Sequence, residues 1–270
     1  MQTEKTLTGY PSTDKPWLKY YDRLFEEDKL PQMTIFELAY SKNKENMSDV
    51  AIDVRMSLNN FNEGITITYK DFFTRVEKCA KASSVLGITK DEIVPIILPN
   101  VPEARFLIYA NSILGATSYP ISPFLPANQL ELIINDNNIK NIVIFEAFYD
   151  KYKGVLDNTK IEHMILLDGT ESMPEELKMN KADTSKDKMQ MSDFSHKVLY
   201  WDQFIKLGEE CKDICPVSYS KNHTAAIIGT SGTTGTSKGV CLSDDNINAA
   251  ALAYLEGKCF GGSFLDALIP

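Results

Sequence analysis

Long apolar runs, positive charge and histidine are all scarce in this sequence, and each shortage excludes a class of function. No apolar run approaches the ~20 residues of a membrane-spanning helix, and residues 1–30 lack the pattern of a secretory signal. Acidic residues outnumber basic ones by 37 to 28. The only arginines are Arg23, Arg55, Arg75 and Arg105. This balance argues against nucleic acid or an anionic membrane as a partner.

The histidines and cysteines form no recognisable catalytic or metal-binding pattern. His163, His196 and His223 are far apart in sequence. The 5 cysteines lack the spacing of a disulfide-rich secreted domain, and Cys211 and Cys215 have no second pair to complete a metal site. We therefore expect no metal site, reduced thiols and a cytoplasmic location.

The order of apolar segments predicts an α/β fold. Short apolar runs typical of buried strands alternate with helical patterns from residue 51 onward. This alternation favours a mostly parallel sheet with helices on both faces. The predicted strands are Ala51–Val54, Ile65–Tyr69, Ile93–Leu98, Thr117–Ile121, Ile142–Phe145, Met164–Leu167, Val198–Trp201 and Ala225–Ile228.

Helix boundaries carry local signals. Thr34 and Glu37 have the spacing of a capping box, and Thr68 is expected to cap a helix that ends at Gly87. Asp202 is expected to cap a later helix, and Ser243-Asp244-Asp245 to supply caps for another. Pro95 predicts an edge strand or a bulge, since proline cannot donate to a ladder. The other predicted helices are Pro102–Leu114, Ala127–Asn135, Ala147–Leu156 and Asn246–Leu255.

The same patterns suggest four parts in the chain. Residues 1–33, which show neither helical nor strand periodicity, are expected to form an extended N-terminal arm. Residues 34–167 are expected to form an α/β subdomain. Residues 168–197 are rich in Lys, Asp and Glu and predict an exposed polar loop. Residues 198–270 are expected to begin a second α/β subdomain.

One short segment contains the residue types expected of an anion-binding loop. Residues 230–239 read Thr-Ser-Gly-Thr-Thr-Gly-Thr-Ser-Lys-Gly and lie between two apolar runs. Glycines let a ligand approach the main chain, and successive backbone N–H groups can form a concave nest for an anion. Hydroxyl groups and one lysine add further donors. The predicted phosphate-binding residues are Thr230, Ser231, Gly232, Thr233, Thr234, Gly235, Lys238 and Gly239.

Two alternatives to this interpretation are weaker. A flexible linker has a similar composition, but linkers rarely lie between two apolar strands or end on a lysine. A Walker P-loop requires glycine before its lysine and serine or threonine after it. Here Ser237 precedes Lys238 and Gly239 follows it, so that template does not match.

Residues 230–240 resemble the signature loop of the adenylate-forming superfamily, which includes the acyl-CoA synthetases. The family pattern is Ser/Thr-Ser-Gly-Ser/Thr-Thr-Gly-x-Pro-Lys-Gly, and this chain departs from it with Ser237 at the proline position. Earlier segments are also similar to family motifs, and together they extend the resemblance from about residue 34 to the end of the chain. These segments are residues 67–72, 98–100 and 120–123.

The resemblance implies an ATP-dependent, AMP-forming carboxylic acid–thiol ligase with coenzyme A as the acyl acceptor. Residues 264–270 resemble the beginning of the next family block, so the magnesium ligand and the C-terminal domain are expected outside this chain. Asp244 stands where the family often has histidine, so that histidine's role is not carried over. The chain is expected to be an N-terminal fragment, inactive alone. The alternative is a noncatalytic fragment of the same fold that binds nucleotide or a partner.

Overall fold

The computed structural model describes residues 8–14, 16, 30–55, 64–156, 158–169, 171–172, 197–211, 213–230 and 238–256. The strands are β1 Val50–Arg55, β2 Gly64–Thr68, β3 Ile93–Ile97, β4 Thr117–Pro120, β5 Asn141–Phe145, β6 His163–Leu167, β7 Lys197–Tyr200, β8 Thr224–Thr230 and β9 Lys238–Ser243. The helices are α1 Pro11–Asp14, α2 Ile35–Asn43, α3 Tyr69–Val85, α4 Pro102–Leu114, α5 Ala127–Asp136, α6 Tyr149–Leu156, α7 Trp201–Leu207 and α8 Asp244–Glu256. A short 3-10 turn, Glu146–Phe148, precedes α6.

Seven of these strands form one sheet in the order β7-β6-β5-β3-β4-β8-β9. All neighbouring pairs are parallel except β8 and β9, which form an antiparallel hairpin. This confirms the predicted mostly parallel sheet. The first two strands are different, because β1 and β2 pair with each other as a separate antiparallel ribbon.

Both faces of the sheet are covered, as a parallel sheet requires. Successive strand residues alternate between two cores: Ile96 packs with Phe72 and Phe106 of α3 and α4, whereas Ile97 packs with Leu130 and Tyr152 of α5 and α6. The period-2 alternation of strand side chains therefore assigns α3 and α4 to one face and α5 and α6 to the other.

Local capping signals define the helices correctly in several places. The Thr34 hydroxyl accepts from the Glu37 amide and the Glu37 carboxylate accepts from the Thr34 amide, which completes the predicted capping box of α2. The Thr68 hydroxyl caps α3 by accepting from the Asp71 amide at 3.2 Å, and Gly87 follows that helix with a left-handed φ of 81°. One face of α3 is buried along its length, at Phe72, Val76, Cys79, Ser83 and Leu86.

Two predicted details are wrong. The strand with Pro95 is central, because β3 lies between β5 and β4. The sheet tolerates the missing N–H because the ladder to β5 begins only at Ile96, after the proline. Asp202 does not cap α7, since that helix begins at Trp201 and Tyr200 precedes it. The Tyr200 amide instead donates to the Gln203 side chain at 3.0 Å.

The proposed four-part division stays a prediction. Strands from both sides of residues 168–197 belong to the same sheet, since β7, β8 and β9 join strands of the 34–167 segment. Within residues 1–33 the structure describes a single helical turn, α1. Most of the predicted polar loop, residues 173–196, lies outside the described residues.

Candidate phosphate-binding site

The β8–β9 hairpin carries both ends of the predicted phosphate-binding loop. Thr230 is the last residue of β8 and pairs with Lys238, the first residue of β9. The Thr230 hydroxyl also donates to the Lys238 carbonyl oxygen at 3.2 Å. Since β8 runs parallel to β4, the loop leaves the sheet at its carboxyl edge, where open α/β sheets bind ligands.

The structure describes three of the eight predicted site residues. Thr230, Lys238 and Gly239 lie at the loop end of the hairpin, and all three are exposed. The other five, Ser231, Gly232, Thr233, Thr234 and Gly235, lie outside the described residues. The exposed lysine is positioned at the sheet edge, where a cation attracts a negatively charged ligand.

Gly239 has a steric reason to be glycine that the sequence did not reveal. A β-carbon at this position would lie 2.9 Å from Cγ2 of Ile227 and 3.5 Å from the hydroxyl of Tyr119. The missing side chain therefore lets β9 pass close to the buried residues of its neighbours. Close packing of β9 on β8 fixes the position from which Lys238 extends.

A buried polar network holds the helix after the hairpin in place. Asp244, the first residue of α8, is 2% exposed. Its carboxylate accepts from the Ile35 amide at 2.9 Å and lies 3.2 Å from Nδ1 of His223. The other ring nitrogen, Nε2, lies 2.8 Å from the carbonyl oxygen of Gly115. Both ring nitrogens therefore lie within hydrogen-bond distance of an oxygen atom.

This network gives Asp244 a structural role beyond helix capping. The carboxylate connects the beginning of α2 to His223 and thereby to the end of α4. Sequence reasoning gave Asp244 only a capping role, shared with Ser243 and Asp245, and placed His223 in no catalytic or metal-binding pattern. Of the three predicted cap residues, Ser243 caps α8, because its hydroxyl accepts from the Asn246 amide at 3.2 Å. Positions 35, 223 and 244 are too far apart in sequence for any local signal to link them.

Two other classes of site are not found in the part of the chain that the structure describes. Those residues include no group of three or more His, Cys, Asp and Glu side chains that could hold a metal ion. No helix among them is both long and apolar enough to cross a membrane.

Comparison with known proteins identifies the family. The model of the AMP-binding enzyme family matches residues 41–266. A probable 4-coumarate–CoA ligase from Dictyostelium discoideum is 27% identical over 188 residues, which cover 67% of this chain and 32% of that protein. The chain therefore spans about a third of the length of this curated relative.

Solved structures show the same fold. A long-chain-fatty-acid–CoA ligase from Archaeoglobus fulgidus matches 86% of this chain and 41% of its own, with a TM-score of 0.63 and 22% identity. The A domain of a carboxylic acid reductase from Segniliparus rugosus, solved with AMP and a co-purified carboxylic acid, matches 85% of this chain and 38% of its own, with a TM-score of 0.64 and 14% identity. The family model covers most of the sequence, and the chain belongs to the AMP-binding enzyme family.

Proposed function

We propose that this chain is the N-terminal part of an ATP-dependent, AMP-forming carboxylic acid–CoA ligase. Membership of the AMP-binding enzyme family supports the use of ATP, and several relatives are CoA ligases by name. The observation that carries the proposal is the position of Thr230 and Lys238. They close a hairpin at the carboxyl edge of a parallel sheet, on either side of the Gly- and Thr-rich loop.

The proposed reaction has two displacements. A carboxylate oxygen of the acid attacks the α-phosphorus of ATP, the bond from that phosphorus to the bridging β-phosphate oxygen breaks, and pyrophosphate leaves. The thiolate of coenzyme A then attacks the acyl carbonyl carbon, and AMP leaves as the thioester forms. Catalysis of the first step depends on holding the phosphates in place and on stabilising the charge that collects on pyrophosphate.

The chain's own contribution to this step is the phosphate loop. Lys238 would place one positive charge near the leaving pyrophosphate, which lowers the barrier as negative charge develops there. The hydroxyls of Thr230, Ser231, Thr233 and Thr234 would donate hydrogen bonds to phosphate oxygens. Gly232, Gly235 and Gly239 would allow the main chain to approach. Magnesium, which would be bound with ATP, has no ligand proposed in this chain.

The test is pyrophosphate exchange into ATP by the full-length protein, measured with a panel of carboxylic acids. Lys238→Ala should slow exchange at least about tenfold, which corresponds to ~1.4 kcal/mol of transition-state stabilisation. Lys140→Ala is the matched control, because Lys140 is an exposed lysine paired with Glu162 at 3.1 Å, on another part of the surface. Equal exchange rates in both variants would remove Lys238 from the mechanism. No exchange with any acid would favour the noncatalytic alternative.

A further inference from the structure

A cavity of about 180 Å³ lies among α3, α4 and α7, apart from the phosphate loop. Its walls come from α3 and from the segments that follow β3, β6 and β7. The lining segment nearest to β8 in the strand order follows β3, two positions away, which is about 10 Å at the usual strand spacing, and no described lining residue belongs to residues 230–239. The cavity is therefore a separate site, and it does not depend on the proposed ligase activity.

The base of the cavity holds a buried carboxylate with one oxygen unused. Glu103, in the first turn of α4, is 1% exposed. Its Oε1 accepts a hydrogen bond from the Ser172 hydroxyl, whereas its Oε2 has no hydrogen-bond partner among the residues that the structure describes. Burial raises the pKa of the Glu103 carboxyl, and a donor placed on Oε2 would oppose that shift. A buried acceptor without a partner is unfavourable, so this oxygen calls for a donor from a ligand.

Positive charge lies close to this carboxylate, because the Ser172 hydroxyl bridges Arg75 and Glu103. Nη1 of Arg75 donates to the Ser172 hydroxyl at 2.9 Å, and its guanidinium lies 5.6 Å from the centre of the Phe106 ring. Lys78, one turn further along α3, lines the cavity and is exposed. Among the described lining residues, Arg75 and Lys78 are basic and Glu103 and Glu171 are acidic. Their formal charges cancel, which favours an occupant with no net charge.

The remaining wall is apolar. Trp201 and Ile205 of α7 line the cavity opposite Phe106, and both aromatic residues are largely buried. An apolar wall beside a few convergent polar groups is the usual composition of a small-molecule site. The volume would hold about six water molecules at ~30 Å³ each, which suits a ligand the size of an amino acid.

We propose that this cavity binds a small zwitterion of the apolar α-amino acid class. The ligand's ammonium group donates to Oε2 of Glu103, and its carboxylate lies toward Arg75 and Lys78. Its side chain packs against Trp201, Phe106 and Ile205. No step of the proposed ligase reaction uses these residues, so the site is an additional binding site on the same fold.

The experiment is calorimetric titration of the purified protein with L-leucine and two analogues that each lack one charge. Isocaproate lacks the ammonium group, and isopentylamine lacks the carboxylate. We expect leucine to bind with a Kd below about 1 mM, and each analogue at least about tenfold more weakly. Glu103→Gln, which replaces the carboxylate by an amide of the same shape, should weaken leucine binding at least tenfold.

Two further variants separate binding from folding. Glu77→Gln changes an exposed glutamate of α3 that lies outside the cavity, and should bind leucine like the wild type. Lys78→Met removes an exposed charge without disturbing the core, and should weaken leucine and isocaproate but leave isopentylamine unchanged. Absence of saturable leucine binding at about 10 mM, ten times the expected limit, would show that the cavity holds only solvent and would overturn the proposal. Equal leucine binding by Glu103→Gln and Glu77→Gln would also overturn it. Pyrophosphate exchange, measured in the same samples, reports separately on the ligase proposal.

Discussion

The buried carboxylate of Asp244 allows us to predict how much stability the protein loses when this side chain is removed. Replacing Asp244 by alanine removes the acceptor of the Ile35 amide at 2.9 Å and the partner of Nδ1 of His223 at 3.2 Å. Both donors would then stay inside the protein without a partner, since Asp244 is 2% exposed and the His223 side chain is 8% exposed. A buried donor left without an acceptor costs about 1–3 kcal/mol. With two such donors, we expect Asp244→Ala to lower the free energy of unfolding by about 2–6 kcal/mol.

Two variants set the scale for this measurement. Asp244→Asn retains an oxygen for the Ile35 amide and should cost roughly half as much, about 1–3 kcal/mol. Asp245→Ala is the control, because its carboxylate is partly exposed and accepts only from the Tyr219 hydroxyl, at 2.9 Å. That loss should cost about 1 kcal/mol. Urea unfolding followed by circular dichroism gives all three values, provided that the denaturant slope is unchanged. An Asp244→Ala cost close to that of Asp245→Ala would refute the idea that this network fixes α8.

Three other outcomes follow from burial, close packing and thiol exposure. Burial raises the pKa of the Glu103 carboxyl, so the free-energy cost of burying its negative charge is absent below the unfolded pKa of 4.5 and grows as pH rises through the folded pKa. The gain in stability from Glu103→Gln should therefore be larger at pH 7 than at pH 5. An equal gain at both pH values would contradict this. Gly208→Ala should lower the free energy of unfolding by about 1–3 kcal/mol, because its β-carbon would lie 2.9 Å from the Lys78 carbonyl oxygen and the Ala82 amide nitrogen. Gly154→Ala, with open space around it in α6, should instead raise the free energy of unfolding by up to about 1 kcal/mol. Equal unfolding midpoints would argue against this packing. Burial raises the pKa of the Cys79 thiol, which makes it unreactive in the native protein. Iodoacetamide should therefore label the exposed Cys215 and Cys241 in the native protein and Cys79 only after unfolding, as measured by peptide mass spectrometry. Rapid labelling of Cys79 in the native protein would refute its burial.

Local signals in the sequence were sufficient for most of the fold. The Thr34 and Thr68 caps, the left-handed Gly87 after α3 and the apolar strands all depend on residues close together in the chain, and the structure confirms them. Pro95 was misjudged because a proline shows that one ladder bond is missing without showing which neighbour loses it. In this sheet the ladder to β5 begins only after the proline, so a central position is tolerated.

The two proposed sites differ in whether their residues are contiguous in the sequence. The phosphate loop is contiguous, so its residue types and order could be read directly from residues 230–239. The cavity around Glu103 could not, because Arg75, Ser172 and Trp201 come from three distant segments that only the sheet order brings together. The same is true of Asp244 and His223, whose contact depends on how the hairpin and α8 pack beside α2 and α4.

The most direct test of the proposed function identifies the nucleotide product. The full-length protein is incubated with ATP, magnesium and each acid of a panel, with coenzyme A omitted, and the products are analysed by mass spectrometry. The proposal predicts pyrophosphate and an acyl-adenylate, with AMP released when coenzyme A is added. Formation of ADP and an acyl phosphate would contradict it, because attack would then have occurred at the γ-phosphorus and not at the α-phosphorus.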